Sequence, residues 1–223
     1  MPTATIASVA AGSANEGFSW SAMYAQRKAA ARQFGKSIFD VPLVRRVRDV
    51  LLACIADGDA VLEVGAGERA MAAELGRFRQ GLDYRSLDID PRGGHDYGDP
   101  AEVERRFACV FALEVVEHLP FERIAPWLES LAALVRPGGW LVLSTPNTFY
   151  PPAYLRDASH RTPLCYDELA GLLSATGLRV ERVARVYRDP LPRALLRRYA
   201  CGWLFRLLGI DFARQIVVAA RRV

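Results

Sequence analysis

Val61-Leu62-Glu63-Val64-Gly65-Ala66-Gly67 is the stretch from which the fold is read. A short apolar run closed by Gly-x-Gly is a buried strand that turns sharply into a helix, because glycine supplies the tight turn and lets a ligand approach the backbone. Glu63, two residues before the first glycine, is the unusual member. A carboxylate at this turn suits a ligand carrying a cationic amine, while its plainer reading is a helix-end or salt-bridge residue. Outward from the turn, short apolar runs at 60–64, 84–88, 109–113, 140–144, 178–186 and 216–220 alternate with helical patterns at 69–78, 121–135, 166–176 and 192–208. Strands alternating with helices mean a mostly parallel sheet covered on both faces, an α/β fold. Two further helices are expected at 19–36 and, behind Pro42, at 41–56, before the Asp57-Gly58-Asp59 turn. The chain therefore divides into an N-terminal extension with capping helices (1–56), whose first ~18 residues look mobile, and a main domain (57–223).

With 223 residues, 51% of them hydrophobic and 24% charged, the chain can bury a sizeable core and is too apolar for disorder. No apolar run approaches the ~20 residues of a bilayer span, and the start lacks the pattern of a signal peptide. Cys54, Cys109, Cys165 and Cys201 lie far apart without a CxxC pair, as expected of buried thiols in a reducing, cytoplasmic setting. The net charge of +4 is unevenly placed: residues 191–223 hold seven arginines and one aspartate, so the preceding 190 residues sum to −2. A basic segment on a mildly acidic body is not a nucleic-acid footprint. Within it, Leu195, Leu196, Tyr199, Trp203, Leu204, Leu207 and Leu208 form a helical stripe among Arg193, Arg197, Arg198 and Arg206. This amphipathic insertion (near 191–210) reads either as a helix packed on the domain or as a peripheral membrane or subunit contact.

The turn differs from a dinucleotide-binding one. There the position of Glu63 is apolar and a third glycine makes room for pyrophosphate, whereas here Glu68-Arg69 follow Gly67. Asp88 ends the next strand, 21 residues after Gly67, where a carboxylate can accept both hydroxyls of a ribose. Two more segments follow in order: Glu114-Val115-Val116-Glu117-His118-Leu119, then Pro137-Gly138-Gly139 before a strand. Together these four segments resemble the class I S-adenosylmethionine-dependent methyltransferases, in particular the broad group with E-V-x-E-H-L and P-G-G motifs. The resemblance spans roughly residues 57–186. It implies a Rossmann-like seven-stranded sheet with the last strand antiparallel, and S-adenosyl-L-methionine as cofactor. It also implies roles: Glu63, Gly65 and Gly67 at the methionine part, Asp88 at the ribose, Ile89 against the adenine, Asp99 (with Asp96 second) at the adenine amino group, and Leu113 and Glu114 beside the sulfonium. Only 18 residues separate Asp88 from Phe107, too few for the family's next helix and strand, so that helix is expected to be missing and strand three to be a stub.

The acceptor side is expected on the loop after the fifth strand of the family, through Asn147, Tyr150, Tyr154 and Arg161, closed by the N-terminal helices. His118 and His160 are the candidate bases, since neutral histidine can take a hydroxyl proton at pH 7; each also has a structural or solvated reading. No His, Cys and carboxylate set shows metal-ligand spacing in the sequence, which predicts a metal-independent enzyme. These residues point to O-methylation of a small-molecule or glycan-like acceptor. A non-catalytic module on the same fold and an NAD(P)-dependent oxidoreductase are the competing readings, the latter weakened by Glu63 and the absent third glycine.

Overall fold

The computed structural model describes residues 20–223, and the N-terminal stretch read as mobile lies outside the described residues. Seven strands form one sheet: β1 (Leu43–Val44), β2 (Ala60–Val64), β3 (Asp83–Leu87), β4 (Phe107–Leu113), β5 (Val135–Pro146), β6 (Leu178–Val186) and β7 (Gln215–Arg222). Their spatial order is β1-β6-β7-β5-β4-β2-β3, with β7 antiparallel to both β5 and β6 and every other pairing parallel.

The helices are α1 (Trp20–Phe34), α2 (Val47–Leu51), α3 (Ala70–Gly76), α4 (Phe121–Leu134), α5 (Pro151–Leu155), α6 (Tyr166–Ala175), α7 (Leu191–Leu195) and α8 (Gly202–Leu208). Because successive strand side chains point to opposite faces, the central strands feed two cores. Leu62, Val64, Val110, Ala112, Leu141 and Leu143 pack with α4 and α6 on one face. Val61, Cys109, Phe111 and Val142 pack with α2 and Leu75 of α3 on the other. Gly139 of the P-G-G segment is held by close approach: a Cβ there would lie 2.8 Å from Ala108 O. α1 lies against α6, fixed by Arg27 to Asp167 (2.8 Å) and to Glu168 (2.9 Å).

Three expectations change, and a fourth, the stub in place of the family's third strand, holds. Residues 41–56 are not one helix: Leu43–Val44 add a parallel edge strand to β6, and α2 is a short helix after it. Strand three of the family pattern is reduced to a single bridge between Leu87 and Tyr97, flanked by 3-10 turns at Pro91–Gly93 and Pro100–Glu102, so the sheet reaches seven strands through β1 at the opposite edge. The stripe at 192–208 is broken: α7 passes into a π turn at Leu196–Ala200 before α8 begins. Among the cysteines, Cys54 and Cys109 are buried and Cys165 and Cys201 half-buried, all as free thiols. No described helix is long and apolar enough to cross a membrane.

Candidate functional site

The strand order reverses between β2 and β4, since β3 follows β2 toward one edge while β4 and β5 build toward the other. The crevice beyond the carboxyl ends of strands at such a switch is the preferred ligand position in open α/β sheets. The 65–69 turn stands on one side of it. Gly65 N donates to Leu87 O (2.8 Å), drawing the turn against the end of β3. Gly65 has φ +71°, and a Cβ there would sit 2.4 Å from Val115 Cγ2, so any side chain would strain the backbone and push Val115 aside. Gly67 donates its N–H to Asp88 Oδ2 (2.8 Å), while Asp88 Oδ1 accepts from Asp90 N (3.0 Å). Arg69, where the dinucleotide pattern has a third glycine, takes a left-handed conformation and reaches the carbonyls of Gly93 and Gly94 at 2.5 Å each. The shortened segment after β3 is thus clamped to the turn.

Glu63 is buried and accepts the Tyr84 hydroxyl at 2.5 Å. Burial pushes its carboxyl up to about 7, against the opposing pull of the Tyr84 hydrogen bond. Tyr84 was not singled out from the sequence; its signal is its place on β3, directly across from Val61 and two residues before Ser86, the partner of Glu63, so that it shares the face of Glu63. Ile89 is 88% exposed at the mouth of the crevice, an apolar side chain without cover. Asp99 Oδ1 accepts from Ala101 N (2.8 Å) and caps the 100–102 turn, and Asp96 is occupied by the backbone and hydroxyl of Ser86.

Leu113 ends β4 and Glu114 follows it at φ +57°. Such a conformation in a non-glycine residue marks stored strain. Ser144 Oγ donates to Glu114 Oε1 (3.0 Å). Burial raises the Glu114 carboxyl, opposed by the Ser144 and Gln215 hydrogen bonds and by Arg188. Glu114 also lines an open cavity of about 500 Å³ together with His118, Tyr150, Asp157, His160 and Arg188, among others. Val115, the residue after Glu114, is pressed against Gly65 of the glycine turn.

The cavity brings the two candidate histidines together, their ring centroids 4.9 Å apart. His160 Nδ1 lies 2.7 Å from Tyr154 O. A carbonyl only accepts, so Nδ1 carries the proton and the Nε2 lone pair of the neutral ring is bare. Ser159 Oγ gives its one proton to Asp157 Oδ1 (2.6 Å) and lies 3.0 Å from His118 Nδ1, so it accepts there and His118 also presents a bare Nε2. The two segments are stitched by Arg161 N and Thr162 N donating to Glu117 O (2.8 and 3.0 Å).

Beneath the rings lies Glu117, fully buried, a residue the sequence reading passed over. Its signal was the E-V-V-E-H spacing, which packs two carboxylates and a histidine into five residues at a strand end. Burial and then the charge of Glu114 push its carboxyl up to about 8, and neither oxygen has a partner in hydrogen-bond geometry, although the Thr145 hydroxyl lies alongside. Glu117, His118 and His160 each offer one ligand atom, all within 4.8 Å of one another. The sequence expectation of no metal-ligand cluster therefore changes, because the loop closure that joins 118 to 160 is invisible in linear spacing.

Not every expected acceptor residue reaches the cavity. Asn147 is fully buried, its amide donating to Asp211 Oδ2 and Ala213 O (2.9 Å each) while its oxygen accepts from Phe149 N, so it holds the loop. Arg161 is exposed and outside the lining, whereas Tyr150 lines the cavity and Tyr154 packs 5.0 Å from the His160 ring. The lining draws on Glu114 onward, with no described residue of the N-terminal helices.

The sequence model of a family described as "Methyltransferase domain" matches residues 38–183, well over half of the chain. Among solved structures, a SAM-dependent methyltransferase from Archaeoglobus fulgidus superposes with a TM-score of 0.59 at 17% identity, over 78% of this chain and 90% of that one. The methyltransferase of a Haloferax volcanii complex with the activator Trm112 gives 0.57 at 15% identity, over 90% and 95%. The [4+2]-cyclase SpnF gives 0.54 at 12% identity, over 79% and 80%. No curated protein matches the chain. At these identities the structures share the fold, and the cyclase among them shows that the fold alone does not fix the reaction.

Proposed function

Since the chain belongs to the methyltransferase-domain family, we propose that it transfers the methyl group of S-adenosyl-L-methionine to a hydroxyl of a small or glycan-like acceptor. Glu63 would meet the cofactor's ammonium, Gly65 and Gly67 its methionine backbone, Asp88 the ribose hydroxyls and Ile89 the adenine face. Asp99 remains the candidate for the adenine amino group through its second oxygen, and Leu113 and Glu114 would border the sulfonium. Tyr150 and Tyr154 would meet the acceptor, and the basic rim of the cavity favours an anionic one.

The observation that carries O-methylation is the pair of histidines with bare Nε2 atoms on the cavity floor. In the transfer, the acceptor oxygen bonds to the methyl carbon as the carbon–sulfur pair withdraws onto sulfur, and the hydroxyl proton must go to a base. Either histidine can take it. Alignment of acceptor and methyl supplies the larger share, up to about 7–11 kcal/mol. The test is calorimetric titration with S-adenosyl-L-methionine against NAD, then turnover on phenolic, catecholic and sugar acceptors with His118→Ala and His160→Ala. Preferential NAD binding would sink the cofactor reading, and full activity in both variants would sink the base assignment.

For the segment after Pro190, we propose a peripheral contact with an anionic membrane. Tyr199, Trp203 and Leu207 are 72%, 66% and 73% exposed, and Arg193, Arg198 and Arg206 carry matching positive charge without a carboxylate ion pair among the described residues.

A further inference from the structure

We propose that Glu117, His118 and His160 form a binding site for a first-row divalent cation, and that the cation receives the acceptor through two neighbouring oxygens. The proposal rests on the methyl-transfer reading only for its second clause.

Three observations carry the site. First, the ligand atoms already converge within 4.8 Å, with His160 Nε2 4.0 Å from Glu117 Oε1. Bound ligands sit about 2 Å from the ion, so contraction by roughly 1 Å completes the set. Second, Glu117 is a fully exposed-to-nothing carboxylate, 0% accessible, with both oxygens unpartnered. A buried carboxyl with neither oxygen in a hydrogen bond, and with only an imidazole at 4.0 Å, is a group that a cation would satisfy. Third, both histidines are oriented by partners on Nδ1, the Tyr154 carbonyl and the Ser159 hydroxyl, leaving Nε2 free. An outer partner that fixes the ring and its tautomer is the usual support of a metal-bound histidine. Asp157 completes the arrangement by holding Ser159, while its other oxygen is 3.9 Å from His160 Nε2.

Two nitrogens and one carboxylate suit manganese, iron, cobalt, nickel or zinc better than calcium. Three protein ligands leave open positions toward the cavity, and these select an acceptor with adjacent oxygens, such as a catechol, a vicinal diol or a 2-hydroxy acid. Arg156, Arg188 and Arg214 line the same cavity and form no carboxylate ion pair among the described residues, which favours an acceptor that also bears a carboxylate or phosphate. With the ion bound, the histidines would hold it instead of serving as bases; the acceptor hydroxyl, acidified by it, would pass its proton to Glu114 on the same wall, and its oxygen would bond to the methyl carbon as the carbon–sulfur pair withdraws onto sulfur.

The full chain, stripped with a chelator, is titrated calorimetrically with Mn²⁺ and with Zn²⁺, and the Mn²⁺ sample is read by electron paramagnetic resonance. One ion per chain is expected. Glu117→Gln and His160→Ala should each weaken binding by about 10-fold or more, and Ser159→Ala, which touches only the ring support, by roughly 10-fold. Titration with S-adenosyl-L-methionine runs in parallel and also reports folding of each variant. No binding at millimolar metal in a wild-type protein that binds the cofactor overturns the site and leaves the methyl-transfer reading intact. Unchanged metal affinity in both Glu117→Gln and His160→Ala overturns it equally, whereas metal binding without cofactor binding refutes the enzyme reading alone.

Discussion

Replacing Glu63 by glutamine removes a carboxyl that titrates near neutrality and keeps its shape. In the folded chain burial lifts this carboxyl from 4.5 to about 7. Between those values the folded protein keeps a proton that the unfolded chain has released, so rising pH favours unfolding. Stability associated with Glu63 is thus complete below about pH 4.5 and is lost as pH passes through about 7. Integrated from pH 5 to pH 8, the loss is on the order of 2 kcal/mol. Urea unfolding of the cofactor-free protein at half-unit steps should show wild-type stability falling by that amount relative to Glu63→Gln. The cofactor's ammonium reverses the preference, because a neighbouring cation favours the ionised carboxyl. Binding of S-adenosyl-L-methionine near pH 6 should therefore release close to one proton from wild type and none from the variant, measured by calorimetry in two buffers of different ionisation enthalpy. Parallel stability curves and equal proton release would refute both the burial argument and the placement of the ammonium.

Three further outcomes are expected. Gly65→Ala places a Cβ 2.4 Å from Val115 Cγ2 at a positive φ, so thermal unfolding should register a loss of about 1–3 kcal/mol and cofactor binding should weaken with it; an unchanged midpoint would show that the turn yields. Asp88→Asn should weaken S-adenosyl-L-methionine by about 10-fold or more, the worth of a charged hydrogen bond to a ribose, and equal affinity by calorimetry would displace the ribose from this strand end. The double variant Trp203→Glu, Leu207→Glu should abolish co-sedimentation with phosphatidylglycerol vesicles, and wild type that ignores such vesicles, or dimerises through this surface instead, counts against membrane contact.

β2 and β6 were legible to their observed ends, because β2 is a short, mostly apolar run and β6 an interleaving of apolar and charged residues, each bounded by turn chemistry. The structure also joins Gly67 N to Asp88, a contact between two segments that the sequence showed only singly. Leu43–Val44 could not be read as a strand: two residues between Pro42 and Arg45 have no period, and only pairing with β6 defines them. The break in the 192–208 stripe was likewise hidden, because the apolar spacing continues through the π turn. The acceptor side was legible in parts. His118 and His160 were named singly, yet their meeting over Glu117 depends on the 157–162 loop folding back across the end of β4. Asn147 misled for a related reason: a polar residue after a strand looks free in sequence, and here the tertiary partner Asp211 takes it up.

Losing the family's third strand has a consequence for how the protein behaves in concentrated solution. β3 becomes the rim of the sheet, and an unpaired rim is a template on which another chain can add a strand. Here the rim is fenced by charge. Asp83 pairs with Arg105 at 2.6 Å and with Arg85 at 3.2 Å, Arg85 also reaches Asp96, and the Asp96 carboxylate itself occupies Ser86 N at 2.9 Å. The fence depends on ionised aspartates, and the arginines beside Asp83 hold it below the usual carboxylate range. Colloidal stability should therefore persist well into mild acid and fail abruptly once these two carboxylates take up protons, with fibrillar or oligomeric species growing outward from this one side of the molecule.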